Sequence, residues 1–251
     1  MNVRTNGAGA GGFAERRYQR GLHNWRSKIR PILLVVFGPF IAAGLAVLVL
    51  DGHALSWGAG MVAGTFLGAW LVMRDAPPRY IETWRDGAEG ERKTAKALRP
   101  LERNDLRVIH DVQARYGNYD HIAVGRAGVF LLDSKNLGGI VELHSGVPHL
   151  RRQLDPDADA SFDRIRPCTL AAAARLKEDI EQRSGHRTWV QAVIVFWSDF
   201  PEDLVDDGRC VFLHGPRLRS WIQGRPERLS QVQVELIAAA VASIAEEAVA
   251  G

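Results

Sequence analysis

The sequence predicts an α/β (α+β) sandwich in which a central mixed sheet is flanked by helices, preceded by a two-helix transmembrane hairpin. Three features of the sequence lead to this prediction. Two long uncharged stretches lie near the N-terminus, short strand-like runs with glycine-rich turns follow, and helical segments stand on either side of those runs. A sheet covered by helices is one of the few ways in which such elements bury their apolar faces.

The predicted hairpin occupies residues 31–73, with one helix at 31–50 and a second at 55–73. Neither stretch contains a charged side chain, and each is long enough to cross a hydrocarbon core of about 30 Å. The four residues at 51–54 predict a tight turn between the two helices. The sequence therefore predicts a multi-pass protein in the lipid bilayer.

Basic residues are concentrated just before this hairpin. The chain has a formal net charge of +3, yet residues 1–30 hold seven Arg and Lys residues against one acidic residue. More arginines follow the hairpin, whereas its turn has none. Because basic segments stay on the cytoplasmic side, both termini and the following domain are predicted to be cytoplasmic. The tail, predicted to be partly disordered, is expected to contact anionic lipid, although nucleic-acid phosphates attract such a tail as well.

Glycines recur every fourth residue in the second apolar stretch, at Gly60, Gly64 and Gly68. Small residues at this spacing let another helix approach closely. The partner is either the first helix or a second copy of the chain, so a homo-oligomer is one expectation. A further interpretation is that the main role of the protein is helix-mediated assembly through this ridge.

A globular domain is predicted at residues 80–223, followed by a C-terminal helix at 230–251. The predicted elements are a helix at 86–101, strands at 106–113, 119–125, 128–135, 140–144 and 148–153, a helix at 163–183, strands at 190–197 and 210–214, and a short helix at 218–223. The continuously apolar run at 190–197 is typical of a strand buried on both faces.

Two acidic residues and a lysine stand at one end of this predicted sheet. The glycine-rich turn between two strands pairs Val124 with Val129, and the same register places Asp120 opposite Asp133. Opposed residues of antiparallel strands have Cβ atoms about 5 Å apart. Because side chains alternate along a strand, Lys135 shares the face of Asp133.

Two carboxylates at such a distance repel each other unless a cation lies between them. Carboxylate oxygens suit Mg²⁺, which keeps several of its waters. A metal held in this way polarises a phosphoryl oxygen and acidifies a bound water. Lys135 beside it can orient or deprotonate the attacking water, or stabilise charge in the transition state. The alternative interpretation is a solvated hairpin in which Lys135 pairs with Asp133.

Glu91 is a candidate third acid, in the helix before the sheet. It lies on one helical stripe with Ala95 and Leu98, so it is expected to face the core. A buried carboxylate is costly unless it is paired or binds a metal. The alternative is a charge that favours the first turn of the helix.

The residues around these positions resemble the nuclease-related domain (NERD) family. The segments that resemble it are 87–91, 119–125, and 128–136 with the glycines at 138 and 139. The resemblance covers roughly residues 80–221. That family is grouped with the PD-(D/E)xK nucleases, and the resemblance therefore implies a restriction-endonuclease-like fold.

The resemblance also implies roles for individual residues. Glu91, Asp120 and Asp133 correspond to the acidic ligands of Mg²⁺ or Mn²⁺, and Lys135 corresponds to the catalytic lysine. Family members often have Glu at the position of Asp133. Many also have a Gln at the start of the next helix. Residues 166–170 of this chain contain no Gln, so the resemblance implies that an auxiliary contact of the active site is missing.

Two functions follow from the resemblance. The first is a membrane-anchored, metal-dependent nuclease that cleaves phosphodiester bonds of nucleic acid, with DNA favoured. The second is a catalytically degenerate nuclease-like module that binds nucleic acid or a protein partner at the membrane. The missing Gln and the acidic net charge of the domain favour the second interpretation.

Overall fold

The computed structural model describes residues 9–50, 56–102, 106–114, 117–152 and 159–250. The chain forms two compact units. One comprises Glu15–Arg85, and the other comprises Met1–Ala14 together with Asp86–Gly251.

Helices make up the described part of the Glu15–Arg85 unit. These are α1 (Gly12–Leu50), α2 (Ser56–Asp75) and the beginning of α3 (Arg79–Glu102). The first helix therefore begins well before residue 31, in a segment that the sequence predicts to be a tail. The predicted turn at 51–54 and the first eight residues of that tail lie outside the described residues.

Aromatic and small residues pack α1 against α2. The ring of Phe66 lies 5.8 Å from that of Phe37 and 4.5 Å from that of Phe40, measured between centroids. The two backbones come close at Gly44, where an added Cβ would lie 2.7 Å from the Cβ of Ala63. A side chain at Gly44 would therefore push the two helices apart.

Among the described residues, one helix is long and apolar enough to cross a membrane. It covers Gly12–Val47, with a mean hydropathy of 2.0 over its most apolar window, and only 11% of that window is buried. The second predicted span coincides with α2, which does not meet the same criterion over its described residues. The structure thus supports one of the two predicted spans.

Two glycines of the predicted ridge, Gly64 and Gly68, have open space beside them. No atom lies within 4 Å of a Cβ added at Gly64 or at Gly68. Among the described residues, the contact between α1 and α2 instead uses Gly44 and Ala63. Of the two partners that the sequence leaves open, the first helix is therefore not in close contact with Gly64 or Gly68.

Strands and helices make up the described part of the Asp86–Gly251 unit. The strands are β1 (Arg107–Ala114), β2 (Gly117–Gly125), β3 (Gly128–Lys135), β4 (Ile140–His144), β5 (Val147–Arg151), β6 (Ala160–Ser161), β7 (Val190–Phe196), β8 (Leu204–Asp206) and β9 (Cys210–His214). The later helices are α4 (Ile165–Ser184), α5 (Leu218–Gln223) and α6 (Gln231–Ala250), and a 3₁₀ turn at Gly215–Arg217 precedes α5.

Six of these strands form the central mixed sheet, in the order β1-β2-β3-β7-β9-β8. Strands β1, β2 and β3 are antiparallel to one another, whereas β3, β7 and β9 are parallel. The strand β8 is antiparallel to β9. The hairpin β4–β5, together with the two-residue strand β6, forms a second sheet of three strands.

Helices cover both faces of the central sheet. On one face, α4 and α6 contribute buried residues such as Leu176 and Val241 to the larger apolar core. On the other face, α3 and α5 contribute Leu98 and Leu218 to a second core. The prediction of a central mixed sheet flanked by helices is confirmed.

Candidate active site

The β2–β3 hairpin places two acidic residues at one end of the central sheet. Its register pairs Gly125 with Gly128, as the sequence predicts, and the ladder continues to His121 and Leu132. The next opposed residues are Asp120 and Asp133. At this point the backbone N–H of Ser134 donates a hydrogen bond to Asp120 Oδ2, with an N···O distance of 2.9 Å.

Both carboxylate oxygens of Asp133 have a partner. The Lys135 ammonium donates to Oδ1, and the Thr169 hydroxyl donates to Oδ2 at 2.9 Å. Lys135 and Asp133 keep 28% and 22% of their side-chain surface exposed, so a ligand can reach them. The carboxylate is therefore oriented from its own strand and from helix α4.

These side chains line a pocket of about 260 Å³ between the ends of β2 and β3 and one face of α4. Asp120, Asp133 and Lys135 lie together in its wall. The other polar residues that line the pocket are Asn118, Tyr119, Cys168, Thr169 and Arg175. The sequence prediction that the two acids and the lysine share one face agrees with this arrangement.

The opposite face of β3 is tied to α3. The Ser134 hydroxyl lies 2.7 Å from Thr94 Oγ1, and the Trp197 indole N–H donates to that same oxygen at 2.7 Å. Thr94 and Ser134 are both buried. Because Thr94 follows Glu91 by one helical turn, this network fixes α3 relative to the end of the strand that carries Lys135.

Glu91 is buried in α3, as its helical stripe predicts, with 6% of its surface exposed. Its Oε2 atom is buried and has no hydrogen-bond partner among the described residues. A buried carboxylate oxygen normally has a hydrogen bond or a cation as its partner. A cation near Glu91 would be the partner that this oxygen lacks among the described residues.

Burial, together with neighbouring charges, raises the pKa values of Glu91 and Asp120. Burial, followed by repulsion from Asp111, raises the pKa of Glu91 to about 7. Burial and the neighbouring Asp133 raise the pKa of Asp120 well above its ordinary value. For Lys135 burial opposes the charged form, but the carboxylates of Asp133 and Asp120 outweigh it and raise the pKa to about 12. The negative charges of these carboxylates outnumber the positive charges beside them. A divalent cation would relieve this imbalance.

The donor set consists of carboxylate oxygens, which suits Mg²⁺ or Mn²⁺. Within the described residues, however, no group of three or more His, Cys, Asp and Glu side chains is arranged to hold a metal. The assignment of Glu91, Asp120 and Asp133 as metal ligands stays a prediction.

The structure adds three residues to those that the sequence singled out, namely Thr169, Arg175 and Asp111. The β1–β2 register places Asp111 opposite Asp120, which extends the row of acids across three strands. The backbone of Asp111 has a φ of 53°, and its Oδ1 accepts a hydrogen bond of 2.9 Å from the Asn118 amide. Continuing the strand pairing from Asp120 to β1 would have identified Asp111 from the sequence.

His121 takes no part in the pocket, in agreement with the alternation of side chains along β2. Its Nδ1 lies 2.7 Å from Nδ1 of His110, so one ring donates a hydrogen bond to the other. Burial, and then the proximity of His110, lowers the pKa of His121 to about 3. His121 is therefore neutral at physiological pH.

Comparison with models of protein families gives a match to this chain. Residues 86–197 match the model of the family described as the nuclease-related domain (NERD), whose usual placement is the restriction-endonuclease-like superfamily. No curated protein and no solved structure is similar enough to the chain to count as a match. The matched segment begins in α3 and ends directly after β7, so it contains all the site residues described above.

Proposed function

We propose, on the premise that residues 86–197 are a nuclease-related domain, that this protein is a membrane-anchored, metal-dependent nuclease. Its substrate is the phosphodiester backbone of nucleic acid, with DNA favoured over RNA by analogy with the family alone. The observation that supports the proposal most directly is the meeting of Asp120, Asp133 and Lys135 in one pocket.

Asp120 and Asp133 would hold Mg²⁺ or Mn²⁺, with Glu91 as the third acid. A metal held there would supply Lewis-acid chemistry, with polarisation of a phosphoryl oxygen and acidification of a water. Lys135, whose pKa is raised to about 12, carries its proton at neutral pH. We therefore assign to Lys135 the orientation of the attacking water and the stabilisation of charge on the phosphate, and not the removal of a proton.

The second candidate is a catalytically degenerate module that binds nucleic acid or a protein partner at the membrane. Two observations favour it. The described residues contain no ready three-ligand group, and residues 166–170 lack the Gln that many family members have. The two candidates differ in one respect that can be measured, which is metal-dependent cleavage.

The test is cleavage of mixed DNA and RNA by the full chain in detergent, with Mg²⁺ or Mn²⁺. Lys135→Ala is compared with Lys96→Ala, which changes an exposed lysine of α3 outside the pocket. Cleavage by the wild type and by Lys96→Ala, but not by Lys135→Ala, supports the nuclease. No cleavage, with no metal binding by isothermal titration, leaves only the binding module.

We propose further that residues 31–73 anchor the domain in the lipid bilayer as a two-helix hairpin with both termini in the cytoplasm. Large apolar side chains are exposed along both helices, among them Val35, Phe40, Met61 and Val72. Outside an apolar solvent, such exposure would be costly.

Two arginines of α1 lie near the end of α2, which supports the same hairpin. The hydrogen bond from Arg74 lowers the pKa of Asp75, and Arg26 and Arg30 of α1 act on that carboxylate in the same direction. The basic residues before the first apolar stretch are therefore near the end of the second one. This arrangement agrees with basic groups on the cytoplasmic side of a hairpin.

Cysteine labelling in intact cells tests this topology. In a chain without Cys168 and Cys210, a His53→Cys variant should react with a membrane-impermeant maleimide, whereas Ser230→Cys should react only after lysis. A single span would place residues 53 and 230 on the same side. Equal labelling of both variants would therefore contradict the hairpin.

A homo-oligomer through the glycine ridge is proposed as well, with a second copy of the chain as the partner. The open space next to Gly64 and Gly68 supports this choice over α1. The change Gly64→Ile should disperse oligomers in detergent, while Val62→Ile at an exposed neighbouring position should not. An unchanged size of the Gly64→Ile protein would contradict the proposal.

A further inference from the structure

We infer that the Arg175 guanidinium binds a backbone phosphate of the nucleic acid, next to the phosphate that lies over Asp120 and Asp133. Neither the family match nor any sequence motif assigns a role to this residue. The inference rests on the proposed action on nucleic acid and deepens it, because it names a residue that holds the substrate.

Arg175 and the acidic pair line the same pocket. Helix α4 carries both Thr169, which donates to Asp133, and Arg175, which is six residues further along. Six residues correspond to about 9 Å along a helix axis. Because helical side chains lean toward the N-terminus, the guanidinium reaches back toward the acids.

The guanidinium is held in place by β2. Tyr119, the residue before Asp120, is 5% exposed and forms a side-chain hydrogen bond with Arg175. A guanidinium has five N–H donors in a rigid fork, more than one phenol oxygen can accept. The fork matches the geometry of a phosphate group, and anchoring by Tyr119 reduces the entropy that binding would cost.

The charges of the pocket require a second cation. Among the described residues that line the pocket, Lys135 and Arg175 are the two cationic ones. Lys135 is paired with Asp133, so its charge is largely balanced within the site. Arg175 adds a positive charge to the wall formed by α4, beside the site that Asp120 and Asp133 would offer to a metal.

A purely structural role for Arg175 would have a different signature. In that case the residue only joins α4 to Tyr119, and its loss lowers the melting temperature without altering substrate binding. A phosphate contact, in contrast, releases a counterion when it forms. The salt dependence of binding therefore distinguishes the two roles.

The experiment uses the full chain in detergent and a labelled 20-nucleotide DNA duplex or single strand at several salt concentrations. Arg175→Gln removes the charge but keeps an amide donor for Tyr119, and Arg175→Lys keeps the charge. Arg219→Gln, at an exposed position of α5 outside the pocket, is the matched control. We measure KM and kcat for cleavage, or Kd by fluorescence anisotropy if the wild type binds without cleaving.

We expect Arg175→Gln to raise KM or Kd about tenfold, and to reduce the slope of log affinity against log salt by about 1, as the loss of one phosphate contact requires. The value of kcat should change by less than KM. Arg175→Lys should restore the slope, and Arg219→Gln should behave as the wild type. If Arg175→Gln does not fold, Tyr119→Phe should still raise KM or Kd while the slope stays that of the wild type, because the charge remains.

Two results would overturn the inference. In the first, the wild type acts on DNA, but Arg175→Gln, or Tyr119→Phe in its place, has the KM or Kd and the salt slope of the wild type. Arg175 then has no role in binding phosphate, and the proposed function stands. If the wild type neither binds nor cleaves DNA or RNA, the inference and the proposed function fail together.

Discussion

The hydroxyl group of Thr169 donates a hydrogen bond of 2.9 Å to Asp133 Oδ2, while Lys135 occupies the other oxygen of that carboxylate. Thr169 belongs to α4 and Asp133 to β3, so the contact joins a covering helix to the end of the sheet. Many family members have a Gln near this position. In this chain a shorter hydroxyl side chain makes a contact of its own with Asp133.

The change Thr169→Val should therefore lower kcat about tenfold, because the Asp133 carboxylate loses one of the two groups that orient it. The loss of one hydrogen bond should cost about 1 kcal/mol of stability. Thr169→Ser, which keeps the hydroxyl, should retain most of the activity. Equal kcat values for the Val and Ser variants in a cleavage assay would show that the contact does not position Asp133.

Two glycines of α3 form a matched pair for a test of the contact between α3 and β3. A Cβ added at Gly90 would lie 2.9 Å from Asn136 Cβ, next to Lys135, whereas a Cβ added at Gly87 meets no atom within 4 Å. Gly87→Ala should stabilise the helix by up to about 1 kcal/mol. Gly90→Ala should lower both the melting temperature and the cleavage rate. A Gly90→Ala protein as active and stable as Gly87→Ala would contradict the close contact.

The raised pKa of Glu91 predicts a dependence of stability on pH. Between its ordinary value of 4.5 and about 7, the folded state binds more protons than the unfolded state. The free energy of unfolding should therefore fall as pH rises through this interval when no divalent metal is present.

Denaturation in EDTA at several pH values between about 5 and 8 measures this dependence. Glu91→Gln should flatten it, although Asp120 still contributes in the same direction. Glu89→Gln, at the exposed end of an ion pair with Lys93, is the control and should leave the slope unchanged. A Glu91→Gln protein with the slope of the wild type would show that Glu91 ionises normally.

Addition of Mg²⁺ or Mn²⁺ should relieve the repulsion between Asp120 and Asp133 and raise the melting temperature. A ligand at a hundred times its Kd stabilises the folded state by about 2.7 kcal/mol. Asp120→Asn should abolish most of this gain and should itself be more stable than the wild type in EDTA. A metal-induced gain of equal size in Asp120→Asn would place the cation elsewhere.

Much of this arrangement could be predicted because it depends on local periodicity. The glycine turn and the two-residue period of strands determine the register of β2 and β3, and with it the shared face of Asp133 and Lys135. The helical period likewise predicts that Glu91 is buried. These features need no knowledge of how distant segments pack.

Other features depend on tertiary contacts that one sequence does not show. Thr169 and Arg175 enter the pocket only because α4 docks across the ends of β2 and β3. The strands β6 and β8 have two and three residues, too few to leave a periodic pattern. The start of α1 at Gly12 was missed because its first turns are rich in charge, which is typical of a tail as well as of an exposed helix.

The most direct test of the central claim is metal-dependent cleavage by the full chain and by its Asp133→Ala variant. Asp163→Ala, which removes an exposed acid outside the pocket, serves as the control. The account predicts that Asp133→Ala loses activity by a factor of about 10²–10³ or more, because the phosphate loses electrostatic stabilisation and Lys135 loses its partner. Cleavage by Asp133→Ala at the rate of the wild type would contradict the claim that this pocket is the active site.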